Sequence, residues 1–288
     1  MSGLPPADHI QQHVRLALEE DVGPGDITAA LIPVERQVRA HVICREAAVL
    51  CGQAWFTEVF RQLDPQIDIR WHFADGEQLG RDDRVCSIRG SARPILSGER
   101  TALNFLQTLS GVASVTAHYV EQLAGTPCSL LDTRKTIPGM RLAQKYAVRC
   151  GGGVNHRMGL YDAYLIKENH IAASGGIANA IESARRQQPA AWIEVEVENL
   201  QELQQAIAAG AERILLDNMD LASLTQAVAL TAKRAELEAS GGIDLTTLRQ
   251  IAETGVDFIS IGAITKHLRA TDFSLCFEDP GQETVSPP

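Results

Sequence analysis

Positive charge is in short supply in this chain. Over 288 residues, 26 lysines and arginines stand against 36 aspartates and glutamates, a formal net charge of −10. Nonspecific nucleic-acid binding requires a basic excess over a whole domain, so nucleic acid is not an expected partner. Long apolar runs are missing too. No stretch approaches the ~18 consecutive apolar residues of a membrane span, and the opening MSGLPPADHIQQH has no apolar core behind a basic start. No membrane partner is expected, and the expected location is the cytoplasm. The six cysteines, at 44, 51, 86, 128, 150 and 276, form no CxxC pair and no Cys/His cluster at zinc spacing. They read as reduced small hydrophobes. With 45% hydrophobic residues, the chain can bury a large core as one big domain or two smaller ones.

What charge of positive sign there is, the sequence concentrates. Residues 133 to 170 run from TRKTIPGMR through CGGGVNHRMG to LIKENH, placing Arg134, Lys135, Arg141, Lys145, Arg149, His156, Arg157 and Lys167 among glycines and apolar residues. A local cationic cluster on an acidic chain points to an anionic ligand; solvated surface cations are the plainer alternative. Arg134 and Lys135 follow the apolar run SLLD, and Lys167 ends the run AYLI, so each stands where a buried strand stops. In parallel α/β proteins ligands bind at that end.

The first hundred residues differ in character from the rest. HIQQHVRLALEE has helical spacing and is broken by DVGPGDITA. Strand-like runs follow at VRAHVIC, AAVLCG, IDIRWHF and RVCSIRG, interrupted by the helical QAWFTEVFRQL, a pattern for a small α+β domain with an antiparallel sheet. From SGER onward one or two helices are expected, with Arg100 at their start. The GPGDIT break looks shaped rather than merely flexible and is read as lying at a subunit contact.

Beyond residue 128, apolar runs begin near Ser129, Ala163, Trp192, Arg213, Ala235 and Asp257, and a helical segment follows each of the first five. Six β and α units in a row imply a parallel sheet, either open or closing into a barrel. Glu194, Glu196 and Glu198 alternate with Val195 and Val197, and Glu236, Glu238 and Ser240 share a face opposite Leu237 and Ala239. An open sheet buried on both faces has apolar strands throughout, so the alternation favours a barrel with a polar lumen. The last strands end in Ser240, Gly241 and Gly242 and in Ile261, Gly262 and Ala263, two loops suited to phosphate.

TRKTIPGMR, KYAVRCGGGVNHRMGLYDAYLIKENHI, EVEVENL, ILLDNM, EASGGI and SIGAIT, preceded by GPGDIT and SGERTALN, closely resemble the quinolinate phosphoribosyltransferase family. The resemblance runs from about residue 8 to about residue 278, in order and spacing. It implies an N-terminal α/β sandwich domain over residues 1–112, completed by 268–280, and an incomplete, six-stranded α/β barrel over 113–267, with 281–288 a disordered tail. It implies a homodimer or larger assembly, Mg2+ as cofactor, and quinolinate and phosphoribosyl pyrophosphate as substrates, converted to nicotinate mononucleotide, pyrophosphate and CO2 in NAD synthesis.

By the same resemblance Arg134, His156, Arg157 and Lys167 bind quinolinate beside Thr133, with Arg100 arriving from the neighbouring subunit. Lys135 and Lys167 neutralise pyrophosphate, the two glycine loops hold phosphate, and Glu196 and Asp217 face ribose and the hydrated metal. Three rivals remain open. Lys167 at a strand end also suits a Schiff-base aldolase, a non-catalytic molybdenum-transport relative would keep the scaffold, and nicotinate phosphoribosyltransferase shares the fold. Asp217 has a plainer reading as a helix cap, Glu194 and Glu198 as lumen lining, and His170 as a structural hydrogen bonder.

Overall fold

The structure, a computed structural model, describes residues 3–278; the expected disordered tail at 281–288 lies outside the described residues. The chain forms two compact units. Among the described residues, unit 1 comprises 3–115, 142–151 and 268–278, and unit 2 comprises 116–141 and 152–267.

Unit 1 is built on an antiparallel sheet. Its strands β1 (Gln37–Cys44), β3 (Asp68–Trp71), β5 (Arg84–Ser91) and β12 (Phe273–Phe277) are ordered β12-β1-β5-β3, and β2 (Ala48–Val49) pairs separately with β4 (Gln78–Leu79). Helices α1 (Ala7–Asp21) and α2 (Gln53–Leu63) belong to the same unit. Alternation along β1 buries Ala40, Val42 and Cys44 completely, as the period of two requires.

Helix α3 (Ala92–Gln122) is one continuous element. Arg100 therefore lies well inside it, not at its start. SGER reads as a helix boundary because of its glycine, but Gly98 serves packing: a Cβ there would meet Leu63 Cδ1 at 2.7 Å and Phe60 Cε1 at 2.9 Å. Pro94 falls in the first turn, where its missing N–H costs nothing. The GPGDIT segment is held in shape by Asp26, whose Oδ1 accepts from the Thr28 and Ala29 N–H groups at 2.9 Å and whose Oδ2 accepts from Ser97 Oγ at 2.9 Å.

Helix α4 (Arg141–Cys150) corrects the expected division, which gave 113–267 whole to the barrel. Residues 142–151 cluster with unit 1. The physical reason is an apolar face committed there: Ala143, Ala147 and Val148 are fully buried, and Tyr146 Oη donates to Asp75 Oδ2 at 2.9 Å.

Unit 2 is organised by six parallel strands, β6 (Ser129–Leu131), β7 (Tyr164–Ile166), β8 (Ile193–Val197), β9 (Arg213–Asp217), β10 (Glu236–Ser240) and β11 (Phe258–Ser260), in the order β6-β11-β10-β9-β8-β7. Between them run α5 (Glu168–Ser174), α6 (Ile177–Gln187), α7 (Leu200–Ala208), α8 (Leu221–Thr231) and α9 (Leu248–Glu253), and α10 (Ala263–Lys266) follows β11. The first and last strands of the sheet, β6 and β7, do not pair, so the barrel is incomplete. One face of β8 and β10 packs Val195, Val197, Leu237 and Ala239 against the helices, while Glu194 and Glu238 are fully buried on the other.

A cationic and acidic pocket at the strand ends

A cavity of about 820 Å³ opens at the carboxyl ends of the unit 2 strands. Parallel strands all point their last carbonyls and first loop residues to this side, so each βα connection contributes there. The loop after β6 contributes Thr133, Arg134 and Lys135; His156 and Arg157 follow the Leu131–Val154 bridge, and Lys167 follows β7. Glu196 and Asp217 come from β8 and β9. Ser240, Gly241 and Gly242 after β10 and Ile261, Gly262 and Ala263 after β11 complete the set. Of the residues expected from the sequence, Arg100 alone is absent from the lining; it is exposed on α3, in unit 1.

Not every cation of the 133–170 segment faces the pocket. Arg141 braces loops, donating to Thr136 Oγ1 at 3.2 Å and to the Met158 carbonyl at 3.3 Å. Lys145 is fully buried on α4 in unit 1, and Arg149, also in unit 1, donates to the Gly3 carbonyl at 3.0 Å.

Two of the cations that line the pocket, Arg134 and Arg157, crowd each other. Arg134 Nε is buried without a hydrogen-bond partner. Burial, and then the neighbouring Arg134 charge, pull the Arg157 guanidinium below its ordinary pKa. Two guanidiniums held in mutual repulsion constitute a demand for anionic ligand, and the arginine fork matches carboxylate. Lys167 Nζ pairs with Glu196 Oε2.

His156, expected to bind the dicarboxylate, lines the pocket with its ring engaged by neighbouring residues. Its Nδ1 accepts the Arg157 backbone N–H at 2.7 Å, and its Nε2 faces Glu194 Oε2 at 2.7 Å and Glu238 Oε2 at 3.5 Å. Both ring nitrogens are thus engaged within the protein, and the side chain is only 7% exposed. Its backbone is fixed as well, by Asp132, which accepts from His156 N at 2.9 Å and from Asn155 Nδ2 at 2.6 Å.

Glu194 and Glu238 form a buried carboxylate pair at the floor of the pocket, which Glu238 lines. Burial pushes Glu194 up to about 7, and burial together with the Glu194 charge pushes Glu238 up to about 8. Below them Arg213 pairs with Glu236 at 2.8 Å, its guanidinium 4.9 Å from the Trp192 ring centroid and 4.0 Å from that of Phe258. The lumen is thus layered, with an ion pair at the base, a proton-holding pair in the middle and Glu196, Asp217 and Ser240 at the mouth. Glu198 is exposed, outside this stack.

A group that keeps its proton longer when folded loses stability as pH rises. Glu238 contributes fully below its ordinary value of 4.5, and the contribution declines until the pH passes about 8. Glu238→Gln removes that dependence. Its thermal midpoint relative to the unsubstituted protein is expected to rise steadily between pH 5 and pH 9, on the order of several degrees. A constant difference across that range, measured by calorimetry, would contradict the assignment.

Local geometry explains the glycines. A Cβ on Gly241 would meet Asn218 Oδ1 at 2.2 Å, and one on Gly262 would meet Lys135 Cδ at 2.8 Å. Gly241 also has φ +102°, which L side chains avoid. Thr265 Oγ1 donates to the Lys135 carbonyl at 2.9 Å, tying α10 to the loop after β6. The capping alternative for Asp217 is settled by Asp220, which takes the Ser223 N–H at 2.8 Å and caps α8. His170 is a hydrogen bonder, accepting the Lys167 N–H at 3.0 Å.

Sequence reasoning missed Lys266, Asn218, Glu238 and Ser260 as lining residues. Lys266 stands three residues beyond Ala263 and was findable by asking which cation follows the second glycine loop. Asn218 carries a weaker signal, as the kind of residue that tolerates φ +53°.

Strand-end cations, two carboxylates and two glycine loops around one cavity define a class: an α/β enzyme for phosphorylated, strongly anionic substrates. The comparisons with known proteins narrow it. Residues 112–276 match the model for the quinolinate phosphoribosyl transferase C-terminal domain, and residues 26–110 match that for its N-terminal domain. The chain belongs to the quinolinate phosphoribosyl transferase family. It is 41% identical to the probable nicotinate-nucleotide pyrophosphorylase [carboxylating] of Bacillus subtilis, over 89% of each chain. It is 39% identical to the chloroplastic enzyme of that name from Arabidopsis thaliana, over 95% of this chain and 85% of the relative. Among solved structures, nicotinate-nucleotide pyrophosphorylase from Francisella tularensis superposes with a TM-score of 0.94 at 50% identity, covering 95% of this chain and 98% of that one. Among the described residues, no helix is long and apolar enough to cross a membrane.

Proposed function

We infer that this chain transfers phosphoribosyl from phosphoribosyl pyrophosphate to quinolinate with decarboxylation, giving nicotinate mononucleotide, pyrophosphate and CO2 in NAD biosynthesis. The observation that carries this reading is the crowding of Arg134, Lys135, Arg157 and Lys167 around one cavity in a family of that activity. A pyridine with two adjacent carboxylates needs several cations, and the unpartnered Arg134 Nε and the repelled Arg157 supply sites for them. Arg134, Arg157 and Lys167 hold the dicarboxylate beside Thr133, and His156 serves it by fixing the Arg157 backbone. Lys135 and Lys167 face the pyrophosphate, and the loops at 240–242 and 261–263 take the phosphate.

The pyridine nitrogen attacks the anomeric carbon as the bond to pyrophosphate breaks, through a ribosyl-cation-like state that nearby carboxylates stabilise. The new pyridinium then accepts the electron pair of the bond to the adjacent carboxylate. CO2 leaves, and the ring carbon takes a proton. Glu196 and Asp217 are oxygen donors of the kind Mg2+ prefers, few in number and set where phosphate oxygens would complete its shell, so the residues fit that ion, held through water. Bound there, it would neutralise charge on the leaving pyrophosphate.

The protein acts as a homodimer or larger assembly in which Arg100 of one chain completes the site of its neighbour. Support comes from Arg100 lying outside its own pocket lining, and from Ile27, Leu31 and Val34, which are 87%, 81% and 60% exposed beside the rigidly held GPGDIT segment. Apolar side chains grouped this way mark an interaction surface.

The direct test offers quinolinate or nicotinate separately, with phosphoribosyl pyrophosphate and Mg2+. Quinolinate is expected to give one CO2 per pyrophosphate, whereas nicotinate reacts poorly because it leaves a buried cation unpaired. Equal turnover of both acids would overturn the substrate assignment.

A further inference from the structure

Unit 1 holds a second cluster of ligand-bearing side chains. Cys51 stands just before Gly52, the N-cap of α2, and is fully buried; Asp75 lies between β3 and β4, and Cys150 ends α4. The two Sγ atoms and a carboxylate oxygen of Asp75 all lie within 4.8 Å of one another. Far apart in sequence, these residues leave no spacing signature, so the expectation that the cysteines are merely small hydrophobes had no means of grouping them.

We propose that Cys51, Asp75 and Cys150 form a binding site for a thiophilic divalent cation of the Zn2+ type. The ligand set decides the ion. Two thiolates and one carboxylate select zinc-like metals over Mg2+ or Ca2+, which take oxygen alone. With metal–sulfur bonds of ~2.3 Å and metal–oxygen bonds of ~2.1 Å, tetrahedral ligands lie roughly 3.5–3.8 Å apart, so the three atoms need close in only by about 1 Å.

Asp75 is held ready for this. Its Oδ1 accepts the Gly52 and Gln53 N–H groups at 3.1 and 3.3 Å, while Oδ2 accepts only Tyr146 Oη, at 2.9 Å, and so retains a lone pair. The Tyr146 hydroxyl or a water supplies the fourth position. Arg149, whose guanidinium stacks 5.8 Å from the Tyr146 ring, offsets the single negative charge left by two thiolates and a carboxylate on a dication. Binding releases two thiol protons, and the ion cross-links the start of α2, the loop at 75 and the end of α4, all within unit 1.

The full chain, purified with a phosphine reductant and stripped by chelation, is titrated with Co2+ in place of Zn2+. One Co2+ per chain with thiolate-to-cobalt charge-transfer absorption is expected, lost on addition of Zn2+ and absent in Cys150→Ser and in Cys51→Ser/Cys150→Ser. Zn2+ is expected to raise the thermal midpoint of the unsubstituted chain and leave that of Cys150→Ser unchanged. Cys150 is only half-buried, so that variant keeps the test meaningful should the double variant fold poorly; its turnover with Mg2+ alone is expected to be unaltered. Cobalt uptake without thiolate absorption, equal in all variants, overturns the proposal. So does loss of two titratable thiols with a mass lower by two hydrogens and no metal uptake under reduction, which makes the pair a disulfide.

Discussion

Replacing Lys167 by alanine is expected to lower turnover by roughly 10²-fold or more, the typical cost of deleting one preorganised contact to charge developing in a transition state. Lys167 is placed for this by the end of β7, and its Nζ pairs with Glu196 Oε2. With the side chain at 42% exposure, the ammonium can exchange that carboxylate for a phosphate oxygen. Lys135→Ala is expected to act in the same direction, because the space above Gly262 exists to admit the Lys135 side chain. The acids behave differently. Glu196→Ala and Asp217→Ala are expected to raise the Mg2+ concentration needed for half-maximal rate as well as slow the reaction, whereas the lysine variants change the rate with little change in that requirement. Steady-state kinetics over a Mg2+ series separates the two. An unchanged Mg2+ response in both acid variants would remove the metal from Glu196 and Asp217.

The pocket was legible in the sequence because a parallel sheet places its chemistry at predictable points. Strand starts near Ser129, Ala163, Trp192, Arg213, Ala235 and Asp257 fall within one residue of those in the structure, since each is a short apolar run with a polar stop. Lys167 after β7 and Asp217 at the end of β9 then reach the pocket by geometry alone. Other features depend on contacts between distant segments and were not legible. Gly98 looked like a helix boundary until Phe60 and Leu63 were seen against it. Helix α4 follows β6 in sequence but buries its face in unit 1. His156 carries a ligand-type side chain, yet Glu194 and Arg157 occupy its nitrogens. The alternation in β8 correctly announced a polar lumen, but only the fold shows that Glu194 meets Glu238 there while Glu198 faces solvent.

On the proposed shared-site arrangement, homodimers of Arg100→Ala and of Arg134→Ala are each expected to be almost inactive, since each would leave a substrate carboxylate without its cation. The two residues differ in where they act. Arg134 lines the pocket of its own chain, with a buried Nε that has no protein partner. Arg100 is exposed on α3 and does not line that pocket, so its contribution is assigned to the neighbour. In a two-fold dimer the interface is self-complementary, and both sites then draw on both chains. When the two variants are unfolded together and reassembled at random, about half of the dimers are mixed. In a mixed dimer one site has the intact pocket of the Arg100→Ala chain and the intact Arg100 of its partner, while the other site lacks both arginines. Activity is therefore expected to return to about a quarter of that of the unsubstituted protein. The mixed species must be confirmed by mass, because failed assembly would also give no signal. Confirmed mixed dimers without recovered activity would place Arg100 in its own chain's site or outside the site altogether, and the shared-site arrangement would be discarded.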